Sequence, residues 1–257
     1  MKIAVTGATG FIGQHVIHAL KQTDADIITV SRTQSADVMM DISNATYNIL
    51  GCPDVLIHLA WDGLPNYKSL HHFETELPKQ YVFLKKLIDA GLPKLVVTGT
   101  CFEYGMQSGG LSVNHAIQPT NPYGYAKAAL HQQLTFLQQT TPFQLSWARL
   151  FYLYGTGQAP SSLYSQFNLA IQRGDKVFNM SGGEQLRDFL AVEQAAKQLV
   201  QLAYANHDGT INICSGKPIS VRRLVENWRG SADIKLNLGY YPYPDYEPMA
   251  FWGDPLI

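Results

Sequence analysis

The chain has 257 residues, 46% hydrophobic and 15% charged, enough apolar material for one large domain or one domain with a small lobe. A net charge of −1 leaves no electrostatic case for nucleic acid or an anionic membrane, and no apolar run approaches the roughly 20 residues of a membrane span. Cys52, Cys101 and Cys214 are far apart and odd in number, which argues against a disulfide scaffold and fits a reducing cytoplasm, and the eight histidines hold no HExxH, so no metal site is expected.

Residues 1–7 carry no signal-peptide architecture and read as a strand over 3–6 that is used at once. Gly7-Ala8-Thr9-Gly10-Phe11-Ile12-Gly13 follows it directly and opens a helix over 12–21. In that setting Gly7 permits the tight turn, Gly10 lets backbone approach a pyrophosphate, and Gly13 allows close helix–strand packing. A second strand over 27–30 ends in Ser31-Arg32-Thr33, with no acid to accept from a free ribose 2′-hydroxyl. Arg32 and the neighbouring hydroxyls suit a 2′-phosphate, so NADP(H) is favoured and NAD(H) stays possible. Asp41-Ile42 stands where it meets either an adenine or a buried turn.

A third strand over 55–60, a long helix over 73–90, a fourth strand over 94–99, a helix over 122–138 and a fifth strand over 143–149 continue the alternation. This rhythm predicts an α/β fold with a doubly wound parallel sheet. The fourth strand runs into Thr98-Gly99-Thr100-Cys101-Phe102-Glu103-Tyr104-Gly105, at the strand end where such sheets bind ligands. Tyr123 and Lys127 lie four apart on the next helix, one above the other on one face. A cation beside a phenol favours the phenolate, so the pair reads as a tuned proton donor and acceptor. Beyond 150 the pattern loosens, with helices over 162–173, 192–205 and 220–229, short strands near 176–178 and 210–213, and an irregular Pro/Tyr-rich tail over 240–248.

The glycine loop, Thr100, Tyr123 and Lys127 together resemble the extended short-chain dehydrogenase/reductase family, in particular its nucleotide-sugar epimerases, dehydratases and reductases. Further matches are His58-Leu59-Ala60, Tyr104-Gly105, Tyr154-Gly155-Thr156-Gly157, Gly182-Gly183-Glu184-Gln185-Leu186-Arg187-Asp188-Phe189 and Asn212-Ile213-Cys214-Ser215-Gly216. The resemblance implies a Rossmann domain over 1–155 and a smaller substrate lobe over 156–257, with some segments returning to the first domain. It makes Tyr123 the general acid/base, Lys127 the group that lowers its pKa and holds the nicotinamide ribose, and Thr100 the residue that orients the reacting oxygen. Gly7, Thr9, Gly10, Phe11, Ile12, Gly13, Arg32, Asp41, Ile42, Leu59, Ala60, Trp61 and Thr98 would then serve the cofactor beside Tyr123 and Lys127. Thr100, Cys101, Phe102, Tyr123, Tyr152, Asn168, Phe178 and Arg187 would serve a nucleotide-sugar substrate, Arg187 at its diphosphate.

Three positions depart from the family. Glu76 and Tyr152 stand where Asn is common, and Trp61 where a small residue is usual. Dehydratases of the family carry Asp-Glu after the active-site Thr; here Cys101-Phe102 offers no acid and base, which argues against dehydration. A short C-terminal region argues for a reductase over an epimerase. The expectation is therefore an NADPH-dependent, cytoplasmic reductase of a nucleotide-linked 4-keto-6-deoxyhexose at C4, supplying a deoxysugar for bacterial surface polysaccharide such as O-antigen. The alternative is a 4-epimerase with tightly bound NAD. The resemblance also implies a homodimer through the helices over 73–90 and 122–138.

Overall fold

The computed structural model describes residues 1–33, 35–243, 245 and 247–255. The first half holds β1 (Lys2–Thr6), α1 (Phe11–Leu20), β2 (Asp26–Ser31), β3 (Val38–Met39), β4 (Val55–His58), α2 (Leu77–Asp89), β5 (Lys94–Thr100), β6 (Gly109–Leu111), α3 (Pro122–Gln138) and β7 (Gln144–Leu150). The second holds β8 (Tyr152–Tyr154), α4 (Leu163–Arg173), β9 (Val177–Asn179), β10 (Leu186–Ala191), α5 (Val192–Tyr204), β11 (Gly209–Ile213), β12 (Pro218–Ser220), α6 (Val221–Arg229), β13 (Lys235–Asn237) and β14 (Phe251–Gly253). Seven parallel strands form the main sheet in the order β11-β7-β5-β4-β1-β2-β3. The strand order reverses between β1 and β4, the place where doubly wound sheets open a ligand crevice.

Period-two alternation decides which layer each strand residue joins. Ile3, Val5, Ile57, Val96 and Ala148 pack with Val16 and Leu20 of α1 and Ala195, Ala196 and Leu199 of α5. Ala4, Leu56, Leu95, Val97 and Trp147 face Phe83, Leu84 and Leu87 of α2 and Leu130 and Leu134 of α3. These sheet residues are fully buried, which is why central strands read as unbroken apolar runs. Although they follow residue 155 in sequence, α5 and β11 belong to this main layer. A second core of Phe167, Ala170, Phe178, Met180, Val225 and Ile234 holds α4 and α6 together. Ser220 caps α6 by accepting from the Arg223 N–H at 3.1 Å, as its residue type predicts.

The helix expected over 73–90 departs from the prediction at its start. Residues His72–Glu76 form a π-helical turn before the α-helical run begins at Leu77. Pro78 has no N–H to donate back to residue 74, so a continuous α-helix through this point is denied one of its bonds. The third strand ends at His58, two residues short of expectation, and the chain then turns across the end of β1. Pro244 and Tyr246 of the expected irregular tail lie outside the described residues; its other members form no helix or strand.

One charged residue sits at the centre of this frame. Glu103 is fully buried in the turn after β5. Its carboxylate accepts from the Thr100 N–H (2.9 Å), Trp147 Nε1 (3.0 Å) and Arg149 Nε (2.7 Å). Arg149 Nη1 donates to the Tyr104 hydroxyl (3.1 Å), which donates to Asn212 Oδ1 (2.7 Å), while Asn212 Nδ2 donates to the Leu111 carbonyl (2.7 Å). The network ties β5, β6, β7 and β11 at their carboxyl ends. Glu103→Gln is expected to lower the unfolding free energy by about 3–5 kcal/mol, because it leaves a buried guanidinium without its counter-charge. Urea denaturation measures this, and a loss below about 1 kcal/mol would remove Glu103 from its central role.

Candidate active site and dinucleotide cleft

The loop between β1 and α1 is packed so tightly that two of its glycines admit no side chain. Gly7 has φ +68° and a Cβ there would lie 2.9 Å from the Ala60 nitrogen. A Cβ on Gly13 would lie 2.1 Å from the Gly7 carbonyl oxygen. Gly10 is the N-cap of α1 and supplies no side-chain cap, so the helix presents its first-turn N–H groups to the space in front of the loop. That space is a cleft lined by Gly7, Thr9, Gly10, Arg32, Asp41, Ile42, Leu59, Ala60 and Trp61, nine of the positions assigned to a cofactor from sequence. Phe11, Ile12 and Gly13 form the first turn of α1 behind it. A glycine cradle under an uncapped helix N-terminus fits a dinucleotide pyrophosphate.

The rim of the cleft carries charge. Arg32 forms a forked pair with Asp62, Nη1 to Oδ2 at 3.2 Å and Nη2 to Oδ1 at 3.4 Å. Asp41 accepts from the Ser43 N–H (3.0 Å), the Ser43 hydroxyl (2.6 Å) and Lys79 Nζ (3.0 Å). Burial works against its charge, but these bonds outweigh it and hold the carboxyl down at about 2. Asp41 thus both caps a turn and lines the cleft. Glu76, nearly fully buried, accepts from the Asp62 N–H (3.2 Å) and Gln80 Nε2 (2.9 Å). It therefore ties the loop after β4 to the start of α2. Behind it, His58 is bonded to Thr6 Oγ1 (2.7 Å) and Gln80 Oε1 (2.6 Å), and burial, then the Lys127 charge, lower its pKa to about 3, so it is neutral.

Tyr123 and Lys127 project from α3 toward the same edge. The Asn121 side chain caps this helix by accepting from the Gly124 N–H at 2.8 Å. Gly124 lets it press against the turn after β5: a Cβ there would lie 2.6 Å from the Phe102 carbonyl oxygen. Lys127 Nζ donates to the Thr98 carbonyl at 2.9 Å and sits 4.0 Å from the centroid of the Trp61 ring, a cation–π contact. It lies 5.9 Å from the Tyr123 ring centroid. The Thr98 hydroxyl is spent on the His58 carbonyl (3.3 Å), and Thr100 Oγ1 accepts from the Phe102 N–H (3.3 Å).

The electrostatics differ from the expectation that Lys127 lowers the phenol's pKa. Burial pushes the Tyr123 phenol well above the ordinary tyrosine range, and Tyr67, Glu103 and Cys101 add to the rise. Burial brings Lys127 down to about 7, against the opposing pull of Glu103 and Glu76. With the ammonium committed to Thr98 and Trp61, the phenol of this state is a firmly protonated donor. Sequence reasoning also missed the collar around Tyr123. The rings of His72, Tyr67 and Trp61 lie 5.2, 5.6 and 5.9 Å from it, and Tyr67 in turn packs on Phe102 at 5.0 Å. Trp61 Nε1 donates to His72 Nδ1 (3.1 Å), which orients the indole. Trp61 was assigned to the cofactor from sequence, but Tyr67 and His72 precede the expected helix over 73–90 in a stretch without periodicity, so no pattern announced them.

The expected substrate residues divide into two groups. Cys101 packs with Tyr152, Phe151 and Phe251. Arg187, 3% exposed, donates to Glu247 Oε2 at 3.0 Å, and the Tyr152 hydroxyl donates to the same carboxylate. Arg187 also lies 4.7 Å from the Phe251 ring centroid. Phe178 instead packs edge-on against Phe167 at 5.0 Å inside the second core, and Asn168 is half-buried on α4.

A model of the NAD dependent epimerase/dehydratase family matches residues 3–214. The chain is 28% identical to the dTDP-6-deoxy-L-talose 4-dehydrogenase (NAD(+)) of Aggregatibacter actinomycetemcomitans over 98% of this chain and 99% of the relative. It is 26% identical to the GDP-6-deoxy-D-talose 4-dehydrogenase of the same organism, over 99% of this chain and 89% of the relative. Among solved structures it is similar to MoeE5 in complex with UDP-glucuronic acid and NAD, with a TM-score of 0.84 and 25% identity over 99% of this chain and 90% of that one. Among the described residues, no helix is long and apolar enough to cross a membrane.

The low pKa of Lys127 has a consequence for stability. Its folded value of about 7 lies below the ordinary 10.5, so between these pH values the unfolded chain binds the extra proton. The contribution of this site to stability therefore rises with pH through that window, and the burial cost is fully present below it. Wild type is expected to gain about 1–2 kcal/mol of stability relative to Lys127→Met from pH 6.5 to 8.5. Guanidinium unfolding at the two pH values checks this; parallel behaviour of the two proteins would contradict it.

Proposed function

The chain belongs to the NAD dependent epimerase/dehydratase family, and from that premise we propose that it interconverts the C4 hydroxyl and carbonyl of a nucleotide-linked 6-deoxyhexose, working as an NAD(H)-dependent 4-keto reductase. The observation that carries this reading is Tyr123 and Lys127 four apart on α3, packed on Trp61 of the glycine cleft while the helix presses on the turn that follows Thr100. The end-to-end likeness to a relative named for a 4-dehydrogenase supports it. A 4-dehydrogenase and a 4-keto reductase are the two directions of one hydride transfer. NAD(H) replaces the NADP(H) expected from Arg32, because that relative's name carries NAD(+) and because Arg32 is engaged by Asp62.

In this reading the bound nicotinamide supplies the hydride. Tyr123 gives its proton to the C4 oxygen as charge develops there. Lys127, charged below about pH 7, and the Thr100 hydroxyl stabilise that oxygen. Arg187 is assigned to the diphosphate, for which its planar fork is suited, with Glu247 as the anion it holds in the present state. Residues 156–257 form most of the substrate lobe, and a homodimer through α2 and α3 would cover Val82, Tyr125 and Phe136, all exposed on those helices. The reaction is placed in the cytoplasm, with a surface-polysaccharide deoxysugar as its product.

A 4-epimerase retaining NAD is the second reading, favoured by the family match itself. It uses the same acid/base and differs in needing no external reductant. With dTDP- or GDP-linked 4-keto-6-deoxyhexoses, one NADH is expected to be consumed per product formed. Tyr123→Phe is expected to lower kcat about 10²–10⁴-fold while leaving NADH binding intact. Unchanged kcat in that variant would refute the proton-donor role, absence of turnover with both sugars would remove the reductase reading, and C4 inversion without added NADH would establish the epimerase.

A further inference from the structure

The strand order places two charged residues on opposite banks of the cleft. β2 and β4 are the two neighbours of β1 in the sheet. Arg32, just past β2, and Asp62, past β4, therefore flank the glycine loop that follows β1, and their forked ion pair spans the cleft above it. Asp62 is held in place from behind. Its N–H donates to the buried Glu76, and its own Oδ1 accepts from the Gly63 N–H at 3.0 Å.

The charges around this pair are unbalanced. Arg32 and Lys79 are the cations lining the cleft, against the carboxylates of Asp41, Asp62 and Glu76. Lys79 is shared between Asp41 (3.0 Å) and Glu76 (3.6 Å). Arg32 feels Asp62 directly and Asp41 and Glu76 at longer range. Neither cation is left over for an added anion, and the rim carries one negative charge in excess. A free ribose hydroxyl is indifferent to that excess. A phosphate monoester, with about −1.5 to −2 charges at neutral pH, is repelled by it.

We propose that Asp62 is a cofactor-selectivity residue, which makes this cleft take the dinucleotide without a 2′-phosphate by occupying the one guanidinium that such a phosphate would need. Arg32 alone reads as a phosphate ligand; the residue that changes its meaning lies thirty positions away, on another strand's loop. The proposal rests on the dinucleotide reading above and concerns only which dinucleotide is accepted.

Calorimetric titration of the full chain with NAD+ and with NADP+ tests it, using wild type, Asp62→Asn, Arg32→Ala and the double variant. Wild type is expected to bind NAD+ more tightly than NADP+. Asp62→Asn is expected to shift the NADP+/NAD+ affinity ratio about tenfold toward NADP+. The double variant is expected to lose that gain, since the freed guanidinium is its source. A ratio unmoved in Asp62→Asn, a gain that survives removal of Arg32, or a wild type that prefers NADP+ would each overturn the assignment. If wild type binds neither dinucleotide, the cofactor reading falls first and the proposal falls with it.

Discussion

The buried carboxylate of Glu103 is the constraint on which the reacting edge depends. A carboxylate in the interior is tolerated only when its oxygens are satisfied, and here three donors from two strands meet it. The geometry of β5, the turn after it and β7 is therefore fixed together. Through Arg149, Tyr104 and Asn212 the same requirement reaches β11 and β6. Thr100, Cys101 and Phe102 owe their placement to this network, because the Thr100 N–H is one of the three donors and the Thr100 hydroxyl caps the same turn.

Close backbone approaches do the rest of the positioning. Gly7 and Gly13 bring the first helix down onto the first strand's end, and Gly124 brings α3 onto the turn held by Glu103. The cleft and the Tyr123–Lys127 pair thus share one edge without a flexible connection between them. Burial then sets the chemistry. It keeps the phenol protonated and lowers the cost of discharging the ammonium, while the Trp61 face and the Thr98 carbonyl give that ammonium a defined seat.

Periodicity and glycine spacing carried most of the fold. The helix over 122–138 begins and ends where its sequence indicates, and the central strands follow their apolar runs to within one or two residues. The strands β3, β6, β8, β12, β13 and β14 were not legible, since two or three residues present no period to read. At the site, Tyr123, Lys127 and the glycine loop were legible because local spacing makes them neighbours. Asp62, Tyr67, His72 and Glu247 were not, because each acquires its meaning from a residue distant in the chain. Arg32 shows the cost of this limit: its identity was plain, but the charge that answers it lies on another loop. Phe178, expected at the substrate, packs in the second core beside Phe167.

Trp61 also gives the protein an internal optical probe. Of the four tryptophans, Trp147 is fully buried and stacked on His131 at 4.7 Å, and Trp228 packs on Tyr154 and Tyr164 beside the second core. Trp252 lies on the β14 strand away from the cleft. Trp61 alone among the four lines the cleft, with an ammonium against its face and a histidine accepting from its N–H. Its indole is therefore the tryptophan ring set against the space in front of the glycine loop.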